Sequence, residues 1–309
     1  MTISRERLRT VSRYSFYLLF LLAPWLDIFR FDLTAGHFVI LGHAWIFGLE
    51  PSQYQCFDTP TQVRHLVLNF ILPVVFLVAA FIFISWKYGR LYCGWLCPHF
   101  SVVESINRLM ERYLGRVTFW EKASIEHKGI SRWLIVLSAC IIIAFVWAFT
   151  ILSYVIPPQN LIQGIIDVHL SFGPVIFLLL MTLVLTLDFF FARHLFCKYG
   201  CSVGMLQSFA WMGNRKALVI GFDKSRASLC QSCDNECDKA CPMRLPVRGI
   251  KRAKITCTQC GICLNACDAV QVKAHNNEPR VINWVSGNKA IEVDRKAAGF
   301  EIKRLKKST

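Results

Sequence analysis

Cysteine is the residue type whose spacing in this chain points most directly to chemistry. Eight cysteines form two runs near the carboxy-terminal end. The first run, Cys-x2-Cys-x3-Cys-x3-Cys-Pro, consists of Cys230, Cys233, Cys237 and Cys241. The second, Cys-x2-Cys-x2-Cys-x3-Cys, consists of Cys257, Cys260, Cys263 and Cys267. Thiolates so closely spaced bind zinc or iron–sulfur clusters, so this segment predicts a metal-binding domain.

The second run has the spacing of a [4Fe–4S] loop in bacterial ferredoxins, and the first run is one residue longer. In two-cluster ferredoxins the fourth cysteine of each run binds the other cluster. The first predicted cluster therefore takes Cys230, Cys233, Cys237 and Cys267. The second takes Cys241, Cys257, Cys260 and Cys263. We expect the additional residue, within 234–236, to bulge the first loop without removing a ligand.

Zinc and disulfides are the alternatives for these cysteines. Cys-x2-Cys pairs also suit four-cysteine zinc sites, but zinc ribbons rarely carry a third cysteine at this spacing in both runs. Disulfides form in oxidising compartments, and the topology below places this segment in the cytosol, where thiols stay reduced. Two [4Fe–4S] clusters are the favoured interpretation.

Four further cysteines lie in a repeated motif. Residues 90–98 and 193–202 both read as Arg, an aromatic residue, then Cys-x3-Cys. If each motif is helical, its two cysteines lie on one face. We hypothesise a third redox site, a metal cluster, formed by Cys93, Cys97, Cys197 and Cys201. Thiols that cycle through disulfides and simple buried side chains are the alternatives. Cys56 and Cys140 have no partner pattern and are expected to be inert.

The composition indicates a membrane protein. Of the 309 residues, 54% are hydrophobic, and the mean hydropathy is +0.42. The formal net charge is +15, but the basic residues lie on loops beside apolar segments, so a lipid bilayer explains them better than nucleic acid. The sequence contains neither a P-loop nor a dinucleotide-binding glycine turn.

Four apolar segments predict transmembrane helices: 14–29, 66–86, 133–154 and 174–191. The first is short and is interrupted by Pro24 and Asp27. Residues 37–49 predict interfacial or re-entrant structure. Residues 101–114 place their apolar side chains at helical spacing, which predicts an amphipathic helix on the cytosolic membrane surface.

Lysine and arginine residues orient these helices. Residues 1–13, 87–132 and 193–309 hold four, eight and 21 of them, while the other two loops hold only Arg30 and Arg64. The positive-inside rule then places both termini and the eight-cysteine segment in the cytosol. Each helical hairpin starts in the cytosol and ends in a Cys-x3-Cys motif, which predicts a parallel repeat.

The expected fold is an α-helical membrane protein with four transmembrane helices, arranged as two pseudo-repeated hairpins, and a cytosolic α+β two-cluster ferredoxin domain. The transmembrane domain covers residues 1–213, and the ferredoxin domain with its tail covers 214–309. A small hairpin turning at 286–288 is expected to join 281–285 to 291–293.

This order of spans, Cys-x3-Cys motifs and ferredoxin-type cysteines resembles the NapH/NosR/MauN/CcoG family of membrane polyferredoxins over about residues 10–275. In size the chain is most similar to the NapH-type quinol dehydrogenase subunit, while residues 25–32 look more like the CcoG type of oxidase assembly protein. The resemblance implies a bacterial inner-membrane protein that passes electrons between the quinone pool and redox subunits of ferredoxin-like or cytochrome c type.

Electron transfer is the first functional hypothesis. A quinol site needs a proton acceptor, and the candidates are Asp188 in the fourth apolar segment and His37, His43 and His169. Because the clusters lie on one side of a core about 30 Å thick, a second redox subunit or a mobile quinone must complete the path. The alternatives are an assembly factor that reduces a metal such as copper, or thiols, for another enzyme, and a redox sensor. Whether the chain is itself an enzyme stays open.

Overall fold

The computed structural model describes residues 5–33, 35–45, 59–115, 130–167, 169–230, 233–274 and 279–297. The chain divides into two compact units. The described parts of Met1–Arg13, Ala79–Cys97 and His194–Thr309 form the cysteine unit. Those of Tyr14–Val78 and Pro98–Arg193 form the bundle unit. The domain boundary expected after residue 213 stays a prediction, and Cys56 lies outside the described residues.

The described chain is mostly helical. In chain order the helices are α1 (Arg5–Leu22), α2 (Thr59–Leu66), α3 (Leu72–Tyr88), α4 (Leu91–Trp95), α5 (Pro98–Leu114), α6 (Ile130–Ser153), α7 (Pro158–Ile166), α8 (Phe172–Leu187), α9 (Ser202–Met212), α10 (Glu236–Lys239) and α11 (Ile262–Ala274). The strands are β1 (Phe29–Asp32), β2 (His37–Ile40), β3 (His43–Trp45), β4 (Val219–Phe222) and β5 (Ile282–Val285).

Three helical segments of the described chain are long and apolar enough to cross a membrane: Val63–Tyr88, Ile130–Ser153 and Phe172–Ala192. They correspond to three of the four expected segments. The most apolar part of the first has no buried residue, and its Phe76 is 71% exposed. Apolar side chains exposed over so large an area indicate a surface that faces lipid or another protein.

The first expected segment, 14–29, is helical only as far as Leu22, where α1 ends. Pro24 lacks a backbone N–H, and Asp27 adopts a φ of +50°, so the chain turns and enters β1. The amino-terminal half of α1 buries Arg9 and Arg13. Among the described helices that could span a membrane, α1 is not included. A fourth span therefore stays a proposal.

The bundle unit has its core where α5, α6 and α8 pack together. Every fourth residue on one face of α6 is fully buried: Val136, Cys140, Ala144 and Ala148. Small side chains in such a stripe let neighbouring helices approach closely. The apolar face of α5 also lies in this core, with Ile106 and Met110 buried. That helix confirms the amphipathic pattern, but protein covers the face that was expected to lie on the membrane.

The segment that was expected to be interfacial or re-entrant forms strands over its described part. Antiparallel pairing joins β1 to β2 and β2 to β3. Arg30 donates to Asp27 Oδ1 and Asp32 Oδ2 at 2.6 and 2.7 Å, and Phe31 N donates to Tyr154 O at 2.8 Å. The sheet is thereby tied to the chain just after α6. Residues 46–49 of the expected segment lie outside the described residues.

In the cysteine unit, β4 pairs antiparallel with β5. The hairpin expected between 281–285 and 291–293 is wrong, because residues 288–297 are helical. Val219 and Ile220 in β4 give β5 a buried apolar partner, which a hairpin on the surface would not provide. Gly287, at a φ of +67°, donates its N–H to Lys216 O at 2.8 Å and marks the turn into the helix.

Candidate metal centres

Four cysteines from both runs line one cavity in the cysteine unit. Cys257, Cys260 and Cys263 come from the second run, and Cys241 comes from the end of the first. Most other lining residues are apolar and include Ile220, Met243, Leu245 and Val247. The structure therefore brings together the four residues that the ferredoxin spacing assigned to the second cluster.

Two residues with positive φ angles turn the loop of the second run around this cavity. Gln259 has a φ of +52° and Gly261 a φ of +75°. The Gln259 side chain donates to Leu218 O at 3.1 Å and accepts from Trp284 Nε1 at 3.2 Å. Gly261 has no room for a side chain, since a Cβ would lie 3.0 Å from the Trp284 ring. These contacts hold the loop in one conformation.

Burial is the main influence on the pKa of three of the cavity's thiols. It raises the pKa of Cys257 to about 12, and the neighbouring thiols of Cys260 and Cys241 add to the shift. Burial also raises the pKa of Cys263 and of Cys241. Four thiolates here would repel one another unless cations lay among them. An iron cluster supplies that positive charge, and metal coordination deprotonates thiols, so this donor set fits the cofactor.

Lys254 is a buried cation at the cavity wall. Its side chain lines the cavity, and its Nζ donates to Ile220 O at 2.6 Å and to Val247 O at 3.3 Å. Burial lowers the pKa of Lys254, and the nearby Cys257 opposes that shift. A positive charge held beside thiolates favours their ionised form.

Single-ion sites are a separate matter from clusters. Within the described ranges, no three side chains of His, Cys, Asp or Glu are grouped so that they could hold one metal ion. A zinc site needs such convergence, because all four ligands bind the same ion. A cubane instead distributes its thiolates over separate iron atoms.

The first predicted ligand set is linked electrostatically across the two runs. Burial raises the pKa of Cys230, Arg248 opposes the shift, and the thiols of Cys267 and Cys233 increase it. Burial raises the pKa of Cys237 to about 12, and Cys233 and Cys267 contribute to that shift. Cys267 therefore lies near the cysteines of the first run, which is the crossover that the sequence predicts.

The additional residue of the first run is accommodated in the backbone. Asn235 takes a φ of +55°, which asparagine tolerates better than most residues, and α10 starts immediately after it. Asp238 Oδ1 then accepts from Val247 N at 2.8 Å, so the loop remains anchored to the domain. Cys237 stays buried in α10.

Each Cys-x3-Cys motif has a break between its two cysteines. Cys93 lies in α4, whereas Cys97 follows that helix and precedes Pro98, the first residue of α5. Cys197 lies in a π-helical turn, whereas Cys201 caps the start of α9. Neither motif is therefore one continuous helix, because a new helix begins right after the second cysteine, and the condition for placing both cysteines on one helical face is not met.

The second motif ends at a helix amino terminus. Cys201 Sγ accepts from Gly204 N at 3.4 Å, as an N-cap residue does. A Cβ on Gly204 would lie 3.1 Å from Arg90 Nη1, so this glycine lets the arginine approach the motif.

Arg90 joins the two motifs. It is 2% exposed, its Nε donates to Ser208 Oγ at 2.6 Å, and its Nη1 donates to Cys197 O at 2.7 Å. Burial lowers the pKa of Arg90, and four thiols act in the opposite direction: Cys93, Cys201, Cys197 and Cys257. Burial raises the pKa of Cys93 to about 12, the Cys97 thiol adds to the shift, and Arg90 opposes it. Arg90 of the first motif therefore interacts with cysteines of both motifs.

The arginine of the second motif makes the reciprocal connection within the bundle unit. Arg193 is 4% exposed, and its Nη1 donates to Asn107 Oδ1 at 3.1 Å and to Met110 Sδ at 2.8 Å. Both acceptors lie on α5, the helix that follows the first motif. Arg90 in turn bonds to α9, the helix that follows the second motif. The arginine of each motif thus bonds to the helix that follows the other motif.

Asp188, the predicted proton acceptor, has a partner that the sequence analysis missed. In the bundle unit, His99 Nε2 lies 2.6 Å from Asp188 Oδ2. The His99 ring is 5.4 Å from the ring of Phe189 and 6.1 Å from that of Trp147. Asp188 Oδ1 is buried and has no hydrogen-bond partner among the described residues. A histidine directly after Cys-Pro, at the start of an amphipathic helix, was the available signal.

The three other predicted quinone residues belong to other segments of the bundle unit. His37 is in β2, and its Nδ1 is 3.2 Å from Ala35 O. His43 is exposed in β3, and His169 follows α7. No hydrogen bond among the described residues connects any of the three to Asp188.

Comparison with known proteins supports iron–sulfur binding. Residues 70–116 and 172–218 match the family described as "4Fe-4S binding domain". Each matched segment contains one Cys-x3-Cys motif, so the match supports the predicted repeat, and its two regions support two [4Fe–4S] clusters. The eight cysteines of the two runs lie outside both segments.

Curated relatives agree with this match. The chain is 29% identical over 196 residues to "Putative electron transport protein YccM" of Escherichia coli K12, covering 62% of this chain and 52% of that protein. It is 26% identical over 185 residues to "Ferredoxin-type protein NapH" of Haemophilus influenzae, covering 58% and 60%. For NapH of Escherichia coli K12 the identity is 22% over 237 residues, covering 72% and 78%.

The matched region thus spans between half and two thirds of the length of the first two relatives. No solved structure matches the chain.

Proposed function

We propose that this chain, whose family match and relatives support a NapH-type polyferredoxin, carries electrons at a membrane through [4Fe–4S] clusters. The observation that carries the proposal is the cavity where Cys241 of the first run joins three cysteines of the second. A [4Fe–4S] cluster bound there would accept and return single electrons. The residues of the chain hold the cofactor, exclude water from it and set the charge around it.

The proposed ligands are the three sets of four cysteines predicted from the sequence. The first cluster is held by Cys230, Cys233, Cys237 and Cys267. The second is held by Cys241, Cys257, Cys260 and Cys263. The third redox site is formed by Cys93, Cys97, Cys197 and Cys201, and the family match to both motifs supports it.

The proposed location is the bacterial cytoplasmic membrane. Four spans, with both termini and all three cysteine sets on the cytosolic side, agree with the distribution of lysine and arginine along the chain. The three apolar helices and the NapH relatives support the membrane setting.

Quinol is the proposed electron donor. Its oxidation releases two electrons and two protons, so the site needs a proton acceptor. Asp188 and His99 form a polar pair among aromatic rings, and the buried Asp188 Oδ1 has no protein partner among the described residues, so it can accept a hydrogen bond from a quinol hydroxyl. His37, His43 and His169 are the alternative groups.

A redox partner completes the path. The proposed clusters all lie on one side of a hydrocarbon core about 30 Å thick, so they cannot alone reduce an acceptor on the other side. A ferredoxin-like or cytochrome c type subunit, or a quinone that crosses the bilayer, must carry the electrons onward.

Electron paramagnetic resonance (EPR) on anaerobic membranes tests this function. We expect added quinol to reduce the clusters and produce signals that buffer alone does not. Clusters that respond to dithionite but never to quinol would contradict the quinol proposal. Reduction of added copper(II) without any response to quinol would instead support the assembly-factor alternative.

A further inference from the structure

The first membrane motif packs directly on the loop of the second ferredoxin run. Gly94 lies between Cys93 and Cys97 in sequence, and a Cβ placed on it would be 2.2 Å from Thr258 O and 3.4 Å from the Cα of Cys260. No real side chain tolerates the first distance, and the atom it meets is backbone. Glycine at position 94 is therefore what allows the two segments to touch.

Three hydrogen bonds, one from Trp95 to the loop and two from α1 to the motif, fix this contact. Trp95 Nε1 donates to Gln259 O at 3.0 Å, which joins the motif to the loop. Arg9 Nε donates to Gly94 O at 2.9 Å, and Ser12 Oγ donates to Trp95 O at 3.2 Å. Arg9 is only 6% exposed, so α1 clamps the motif against the loop.

Arg90 extends the same junction to the second motif. Ser208 Oγ accepts from Arg90 Nε and donates to Ile255 O at 2.6 Å, two residues before Cys257. Cysteines of both membrane motifs and Cys257 all interact electrostatically with this one guanidinium. Arg90, Gly94 and Trp95 thus connect the two motifs to the chain around Cys257 and Cys260.

We infer that the third redox site and the second cluster are direct electron-transfer partners, with Gly94 as the residue that sets their separation. The inference rests on the proposed function and gives its clusters an order within the cysteine unit: third redox site, second cluster, first cluster. In each transfer one electron leaves one site and enters the other, so one is oxidised and the other reduced, with no proton or bond exchanged. Arg90 and Trp95 are positioning residues.

The test compares Gly94→Ala with the control Gly213→Ala. Gly213 lies in the same unit, and a Cβ there meets its nearest atom at an ordinary 3.4 Å. The proteins are purified anaerobically and reduced with dithionite. In the parent and the control we expect iron for three clusters and an EPR spectrum with magnetic interaction between two of them. In Gly94→Ala we expect the same iron, weaker interaction and several-fold slower electron transfer between the two sites after flash reduction.

These measurements use no quinol, so a failure of the quinol proposal leaves them interpretable. Iron for only two clusters in the parent, or parent-like interaction and transfer in Gly94→Ala, would overturn the inference. If Gly94→Ala loses iron, Trp95→Phe provides the second variant, since it removes the indole hydrogen bond to Gln259 O and keeps an aromatic ring at position 95. We expect that variant to keep all its iron and to slow the transfer, and an unchanged transfer rate would again overturn the inference.

Discussion

At the scale of single residues, the account depends on which cysteines share a cofactor. The sequence spacing predicts that Cys241 leaves its own run, and the structure places it in the cavity with Cys257, Cys260 and Cys263. Spacing suffices for this because a tight loop presents three thiolates and needs a fourth from elsewhere.

Replacing Cys241 tests the crossover. We expect Cys241→Ser to lose one cluster's iron and the EPR signal of the second cluster, while the signal of the first persists. Cys140→Ser is the control, because Cys140 is a buried packing residue of α6 in the bundle unit. Loss of the first cluster's signal, with the second intact, would show that each run binds its own cluster.

Lys254 should tune the second cluster. Removing its positive charge makes an added electron less stable, so Lys254→Gln should lower that midpoint potential. A unit charge at several ångströms in an effective dielectric of about 20 contributes about 1–4 kcal/mol, which for a one-electron couple predicts a shift on the order of 40–170 mV. The exposed Lys239→Gln is the control, since water screens its charge. Equal shifts in both variants, measured by redox titration, would contradict the assignment.

Asp188 should govern quinol oxidation. We expect Asp188→Asn to slow quinol-driven cluster reduction about 10²-fold, the usual effect of losing a general base, and to leave dithionite reduction unchanged. His37→Gln, His43→Gln and His169→Gln should stay near the parental rate. If His169→Gln slowed quinol-driven cluster reduction and Asp188→Asn did not, the quinol site would lie at His169 and the Asp188 proposal would be contradicted.

At the scale of secondary structure, periodicity found long helices but not their ends. Three apolar segments became helices that can span a membrane, and the amphipathic pattern of α5 was correct. The breaks between Cys93 and Cys97 and between Cys197 and α9 went unrecognised. A cysteine that caps a helix, as Cys201 does, has no distinctive sequence. The pairing of β4 with β5 was equally hidden, because strands distant in sequence leave no local signal.

Arg193 should matter for the stability of the bundle unit. Arg193→Ala would remove buried hydrogen bonds from a charged donor, and such bonds contribute about 1.5–3 kcal/mol each. We expect a clear loss of thermal stability in detergent. Arg108→Ala is the matched control, because Arg108 makes exposed hydrogen bonds from α5, and such surface changes usually cost about 0.5 kcal/mol or less. Equal losses of thermal stability in the two variants would argue against a structural role for Arg193.

At the scale of the whole molecule, composition and charge predicted a membrane protein, and cysteine spacing predicted its cofactors. The sequence did not predict the contact between the first Cys-x3-Cys motif and the loop of the second cysteine run. The packing of Gly94 on Thr258 and the placement of Arg90 depend on residues far apart in the chain, and each residue alone reads as an ordinary glycine or a loop arginine.

Topology reporters at both ends test the number of spans. With four spans, a fluorescent protein fused to either terminus should fold and fluoresce in the cytosol. With only the three apolar helices crossing, the two termini would lie on opposite sides of the membrane. An alkaline phosphatase fused to the periplasmic terminus would then be active, and a fluorescent protein fused there would stay dark. That second result would remove α1 from the proposed membrane domain.

The central claim is that the two cysteine runs hold two [4Fe–4S] clusters. The most direct measurement uses the full chain with serine at Cys93, Cys97, Cys197 and Cys201, purified without oxygen, so that only the two runs can bind clusters. Its metal content and acid-labile sulfide are measured, and its EPR spectrum is recorded. We predict equal amounts of iron and sulfide, sufficient for two clusters, and EPR signals that appear on reduction. Zinc in place of iron, or iron near zero, would contradict the account.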